Sequence, residues 1–79
     1  MPWTSRLKSP IKLKGGRSVE TLADARTVIL ELPEYQQRRP YWEYTAQLLM
    51  AAAQGGKREA IDEAYWQLMR ALKADRMLS

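Results

Sequence analysis

The chain has 79 residues, 46% of them hydrophobic and 28% charged, which is enough for one small core and too little for a second. It contains neither Cys nor His, which excludes disulfides, thiol chemistry, ordinary zinc or haem ligation and any nucleophile activated by histidine. The formal net charge of +4 belongs entirely to residues 1–20, with five basic residues and one acid, while the rest holds eight of each.

Residues 1–9 read as a basic arm. Met1 to Arg6 is followed by lysines rather than by the apolar stretch that a secretory signal needs. The longest apolar run, Leu48 to Ala53, falls far short of the roughly 20 residues that span a bilayer. A cytoplasmic location is therefore expected, and the lack of Cys agrees with a reducing compartment.

From Pro10, Ile11-Lys12-Leu13-Lys14 alternates apolar with charged residues, the signature of a strand with one buried face. Gly15-Gly16 turns it, giving a hairpin over residues 10–20. A three-residue loop, Gly15-Gly16-Arg17, would set Leu13 opposite Val19 and Lys12 opposite Glu20. A two-residue loop would mix the buried and wet faces, so the three-residue loop is predicted. Lys12 and Lys14 then occupy the solvent side of an edge strand, where lysine discourages edge-to-edge pairing.

Thr21-Leu22-Ala23-Asp24 has the form of a capping box with Asp in place of Glu, and predicts a helix over residues 21–32. Leu22, Ala25, Val28, Ile29 and Leu32 make its buried stripe, and Pro33 stops it. Glu34 to Arg39 is polar, a loop or a single loose turn. Pro40 suits the first position of a second helix, over residues 40–54. That helix carries apolar side chains almost all round, with only Glu43, Gln47 and Gln54 marking a polar line. Such a helix is either enclosed or touches another molecule, and the remaining elements are too small to enclose it.

Gly55-Gly56 breaks the pattern before a last helix over residues 57–75. Ile61, Ala64, Tyr65, Leu68 and Leu72 form its core stripe. Glu59, Asp62 and Glu63 lie in its first turns and Arg70, Lys73 and Arg76 near its end, as the helix dipole favours. Trp66 lies off the stripe and is expected to be half exposed. The short connection makes the last two helices an antiparallel hairpin. The predicted fold is α+β: one N-terminal β-hairpin packed on three helices, in a single domain.

Little in the chain supports chemistry. Glu59, Asp62 and Glu63 stand beside Lys57 and Arg58, with Arg58 placed to pair with Asp62, and read as a solvated helix end rather than a metal or acid–base site. Lys14-Gly15-Gly16-Arg17 lacks the spacing and the Lys-Ser/Thr ending of a nucleotide loop. The hydroxyls of Ser5, Ser9, Ser18 and Thr45 have no histidine to activate them. Neither an enzyme nor a cofactor is expected. Arg38-Arg39-Pro40-Tyr41-Trp42 interleaves base with aromatic, which can serve single-stranded nucleic acid. Its simpler reading is a polar loop feeding a helix whose Tyr41 and Trp42 enter core or interface.

Pro10-Ile11-Lys12-Leu13-Lys14-Gly15-Gly16-Arg17, then Thr21 to Arg26, then Leu32-Pro33 form a pattern that resembles the short proteins of rhizobia and related alphaproteobacteria that include the domain of unknown function numbered 982. The resemblance implies a hairpin followed by Ala-rich helices and brings no functional residue onto this chain.

All seven aromatics are Trp or Tyr, rings with a polar tip that recur at protein interfaces. The expectation is a non-enzymatic interaction protein, homodimeric through the middle helix and part of the last, with Trp42, Tyr44, Leu48 and Trp66 making most of the contact. The alternative is a nucleic-acid accessory protein using Lys8, Lys12, Lys14, Arg17, Arg38 and Arg39 on phosphates. No membrane partner is expected.

Overall fold

The computed structural model describes residues 2–79. A 3-10 turn, Pro2–Thr4, leads into strands β1 (Arg6–Lys12) and β2 (Ser18–Thr21), followed by helices α1 (Leu22–Glu31), α2 (Glu34–Gln37), α3 (Pro40–Gly55) and α4 (Arg58–Ala74). This is the expected α+β order, a hairpin and then helices, with α3 and α4 packed as an antiparallel pair across a short connection.

The hairpin differs from the prediction in its register. Ile11, not Leu13, stands opposite Val19, and Lys12 stands opposite Ser18 rather than Glu20. Residues 13–17 form the connection, closed by the Leu13 N–H donating to the Arg17 carbonyl at 2.8 Å. Gly15 and Gly16 both have φ of +89°, which side chains with a Cβ rarely adopt. Because strand side chains repeat every two residues, this displacement of two leaves the buried face unchanged: Ile11, Leu13 and Val19 all enter the core.

The cause lies at the other end of the chain. Leu13 forms an antiparallel bridge with Leu78, the Lys14 N–H donates to the Met77 carbonyl at 2.9 Å, and the Ser79 N–H donates to the Lys12 carbonyl at 3.1 Å. Lys12, expected on an edge strand, is thus flanked by β2 on one side and the tail on the other, while Lys14, expected on the same strand, lies in the connection and is tied to the tail. The chain reaches β1 through a tight reversal after α4. Arg76 has φ of +56°, and the Met77 and Arg76 N–H groups donate to the Leu72 and Lys73 carbonyls, the paired bonds of a Schellman motif with arginine where glycine is usual.

Residues 6–9, expected in a basic arm, belong to β1. Arg6 stands opposite Thr21, and pairing is irregular between Arg6 and Ile11, which gives Pro10 a place where its missing N–H is tolerated. Buried Leu7 anchors this end, and half-buried Trp3 packs on the core. Met1, the first residue of that arm, lies outside the described residues.

The helices begin and end for local reasons. The Thr21 hydroxyl accepts from the Asp24 N–H at 3.1 Å, and the Asp24 carboxylate accepts from the Thr21 N–H at 3.2 Å, which completes the capping box. Leu22, Ala25, Val28, Ile29 and Leu32 are all buried, as are Ile61, Ala64, Tyr65, Leu68 and Leu72 on α4. Residues 34–37 form a single helical turn. Gly56, with φ of +69°, closes α3 by donating its N–H to the Ala52 carbonyl. Among the described residues no helix is long and apolar enough to cross a membrane.

Candidate functional site

Helix α3 is neither enclosed nor free. Trp42, Thr45, Leu49, Ala52 and Ala53 face the core. Tyr44 and Leu48, one helical turn apart, share the side turned outward toward α4. There they line a single cleft with Trp66, Glu63, Gln67 and Arg70 of α4. Tyr44 is 48% exposed and Trp66 52%; Leu48 is half-buried. Three of the four residues predicted to make an interface therefore meet at one surface.

The cleft has a fixed floor. Buried Gln67 donates its amide to the Tyr41 carbonyl at 3.2 Å and the Thr45 hydroxyl at 3.4 Å, while the Thr45 hydroxyl donates to the same carbonyl at 2.6 Å. The Trp66 ring stands edge-on to the ring of buried Tyr65, with centroids 4.9 Å apart. An aromatic side chain held in this way loses little rotamer freedom when something binds to it.

Trp42, the fourth predicted interface residue, is corrected by the structure: its exposure is 0%. It faces inward with Thr45 and Leu49, and its indole N–H donates to Asp75 Oδ2 at 2.6 Å. The same carboxylate accepts from Gln36 Nε2 at 2.6 Å, Arg39 Nη1 at 2.7 Å and the Tyr41 hydroxyl. With a side chain only 3% exposed, Asp75 ties the end of α4 to the junction of α2 and α3.

Burial works to raise the Asp75 pKa, and hydrogen bonds from Trp42, Tyr41 and Gln36 with the charge of Arg39 outweigh it, holding the carboxyl at about 2 against an ordinary 3.8. The Arg39 guanidinium, bonded to the Tyr41 hydroxyl and beside Asp75, is in turn pushed above its usual pKa. A perturbed acid often marks catalysis, but both oxygens here are occupied by donors from the same chain, which makes the group a structural tie. Sequence reasoning missed it. The available signal was an acid at a helix C-terminus, where the dipole disfavours negative charge unless donors compensate.

A second apolar cleft, also missed, lies between α1 and α3, where Trp3, Leu30, Ala46 and Met50 surround Arg26. Leu30 and Met50 are both exposed, and the Arg26 guanidinium sits 5.4 Å from the Trp3 ring centroid. Leu30 stood outside the predicted stripe of α1, which was the available hint.

The basic residues are dispersed in role. Lys8, Lys12 and Lys14 are exposed on and just beyond β1. Arg17 pairs with Glu31, Arg38 with Glu34 and Arg39 with Asp75, so each of these arginines already has a carboxylate partner. The expected Arg58–Asp62 pair forms at 3.5 Å, and Arg58 also donates to the Arg6 carbonyl at 2.8 Å.

Fold and surface define a small α+β domain with an aromatic cleft between its last two helices. No family model, no curated protein and no solved structure matches the chain, so its functional reading rests on its own residues.

Proposed function

We propose that this chain is a non-enzymatic interaction protein that forms a homodimer through the α3–α4 face, acting in the cytoplasm. The observation that carries this reading is the convergence of Tyr44, Leu48 and Trp66 in one exposed cleft with a hydrogen-bonded floor. Tyrosine and tryptophan are the side chains that most often anchor protein contacts, because they combine a large apolar area with few rotatable bonds. The rim holds one acid, Glu63, and one base, Arg70. It can therefore meet a second copy of itself without net repulsion.

Light scattering or sedimentation at high micromolar concentration tests the reading. The expected mass is twice the 9.2 kDa of the chain, with Trp66→Ala returning it toward the monomer. A monomeric wild-type protein under those conditions rejects the proposal.

One observation favours a second reading. Among the described residues, Lys8, Lys12 and Lys14 form no ion pair and are exposed on and just beyond β1, so they are free to neutralise phosphates. A mobility shift with single-stranded nucleic acid that weakens steeply with salt would support it. No shift at low salt would remove it.

A further inference from the structure

The outer face of α4 divides by charge about Trp66. Glu59 and Glu63 lie on its N-terminal side, Arg70 and Lys73 on its C-terminal side, and all five side chains are exposed. At 3.6 residues per turn these positions fall on one face of the helix. Glu63 and Arg70 are seven residues apart, about 10 Å along the axis, which is too far to pair within one helix. Among the described residues neither takes part in an ion pair. The midpoint of Glu59 and Lys73 is Trp66 itself, and the midpoint of Glu63 and Arg70 lies between Trp66 and Gln67. Reversing the helix about that level exchanges acid for base at both pairs.

We infer that two copies meet with their α4 helices antiparallel across a two-fold axis at the level of Trp66, so that Glu63 faces Arg70 and Glu59 faces Lys73 of the second copy. This rests on the homodimer reading above and assigns its geometry. In such an isologous contact each bond occurs twice, and each Trp66 indole lies over the cleft of the other copy, against Tyr44 and Leu48. A parallel arrangement would instead set Glu63 against Glu63 and Arg70 against Arg70, so the charge order selects one orientation. The other apolar cleft, around Leu30 and Met50, has Arg26 as its charged lining residue, which would meet its own kind across a two-fold axis.

Charge exchange tests the geometry. Glu63→Arg alone and Arg70→Glu alone should each weaken self-association at least tenfold, because each creates two like-charge contacts. An equimolar mixture of the two variants should form a heterodimer within about threefold of wild-type affinity, because both contacts are then opposite in sign. Circular dichroism checks folding, which these exposed positions should preserve. If either variant is unfolded, the pair Glu59→Lys and Lys73→Glu provides the same test. If the mixture stays monomeric, or if the single variants dimerise as wild type does while Trp66→Ala does not, the antiparallel arrangement is overturned and association through the cleft stands. A wild-type monomer overturns both.

Discussion

Asp75 gathers four side-chain donors from the junction of α2 and α3. It closes α4, where helix carbonyls already concentrate negative charge, and is stable there because Trp42, Tyr41, Gln36 and Arg39 all donate to it. Its folded pKa of about 2 lies below the ordinary 3.8, so the ionised form is favoured by folding. That contribution is fully present above about pH 3.8 and is lost as pH falls through about 2, on the order of 2 kcal/mol in all. Urea unfolding should show Asp75→Asn less stable than wild type by roughly 2–3 kcal/mol at about pH 5, with the gap closing as the solution is acidified. Equal stability of the two proteins at that pH would contradict the role assigned to this carboxylate. Next to it, Arg76 adopts a left-handed conformation that glycine occupies without steric cost. Arg76→Gly should therefore raise stability by about 0.5–1 kcal/mol, seen as a higher thermal midpoint.

Among the elements, the sheet depends most on parts distant in sequence. β1 runs between β2 and the chain's last residues, and Leu13 is buried where the tail meets the turn. Removing Met77–Ser79 deletes the backbone hydrogen bonds to Lys12 and Lys14 and uncovers Leu13. A loss of about 1–3 kcal/mol is expected. Hydrogen exchange gives a local check: the Lys14 amide, which donates to the Met77 carbonyl, should be protected in the full chain and exchange freely in the shortened one. The face of each strand residue was legible from the alternation Ile11-Lys12-Leu13-Lys14. The register was not, because shifts of two residues conserve that alternation and the contact that selects among them comes from Leu78.

At the scale of the whole molecule, two tryptophans that each follow a tyrosine take opposite roles. Trp42 is enclosed and hydrogen-bonded, so Trp42→Ala should cost about 3–5 kcal/mol and threaten the fold. Trp66 is half exposed, and Trp66→Ala should change stability by no more than about 1 kcal/mol while removing self-association. Denaturant curves beside solution masses for both variants separate the roles, and a Trp66 variant as destabilised as the Trp42 one would show that the cleft is merely the edge of the core. The half exposure of Trp66 was legible, since it lies off a stripe that Ile61, Ala64, Leu68 and Leu72 define. Trp42 lies on a helix with apolar residues on nearly every side, where periodicity names no inward face.

Short-range patterns were enough for the order of the elements, their caps and stops, and the buried stripes of α1 and α4. These follow from interactions within a few residues: Thr21 with Asp24, Pro33 against continuation of a helix, and apolar side chains recurring once per turn. Three features came only with the packed chain: the register of the hairpin, the inward face of α3, and the exclusion of Trp42 from the cleft where Tyr44, Leu48 and Trp66 meet. Each of them depends on groups far apart in sequence, Leu78 beside Leu13, Asp75 beneath Trp42, and α4 beside α3, and no local propensity encodes which distant partner a side chain will meet.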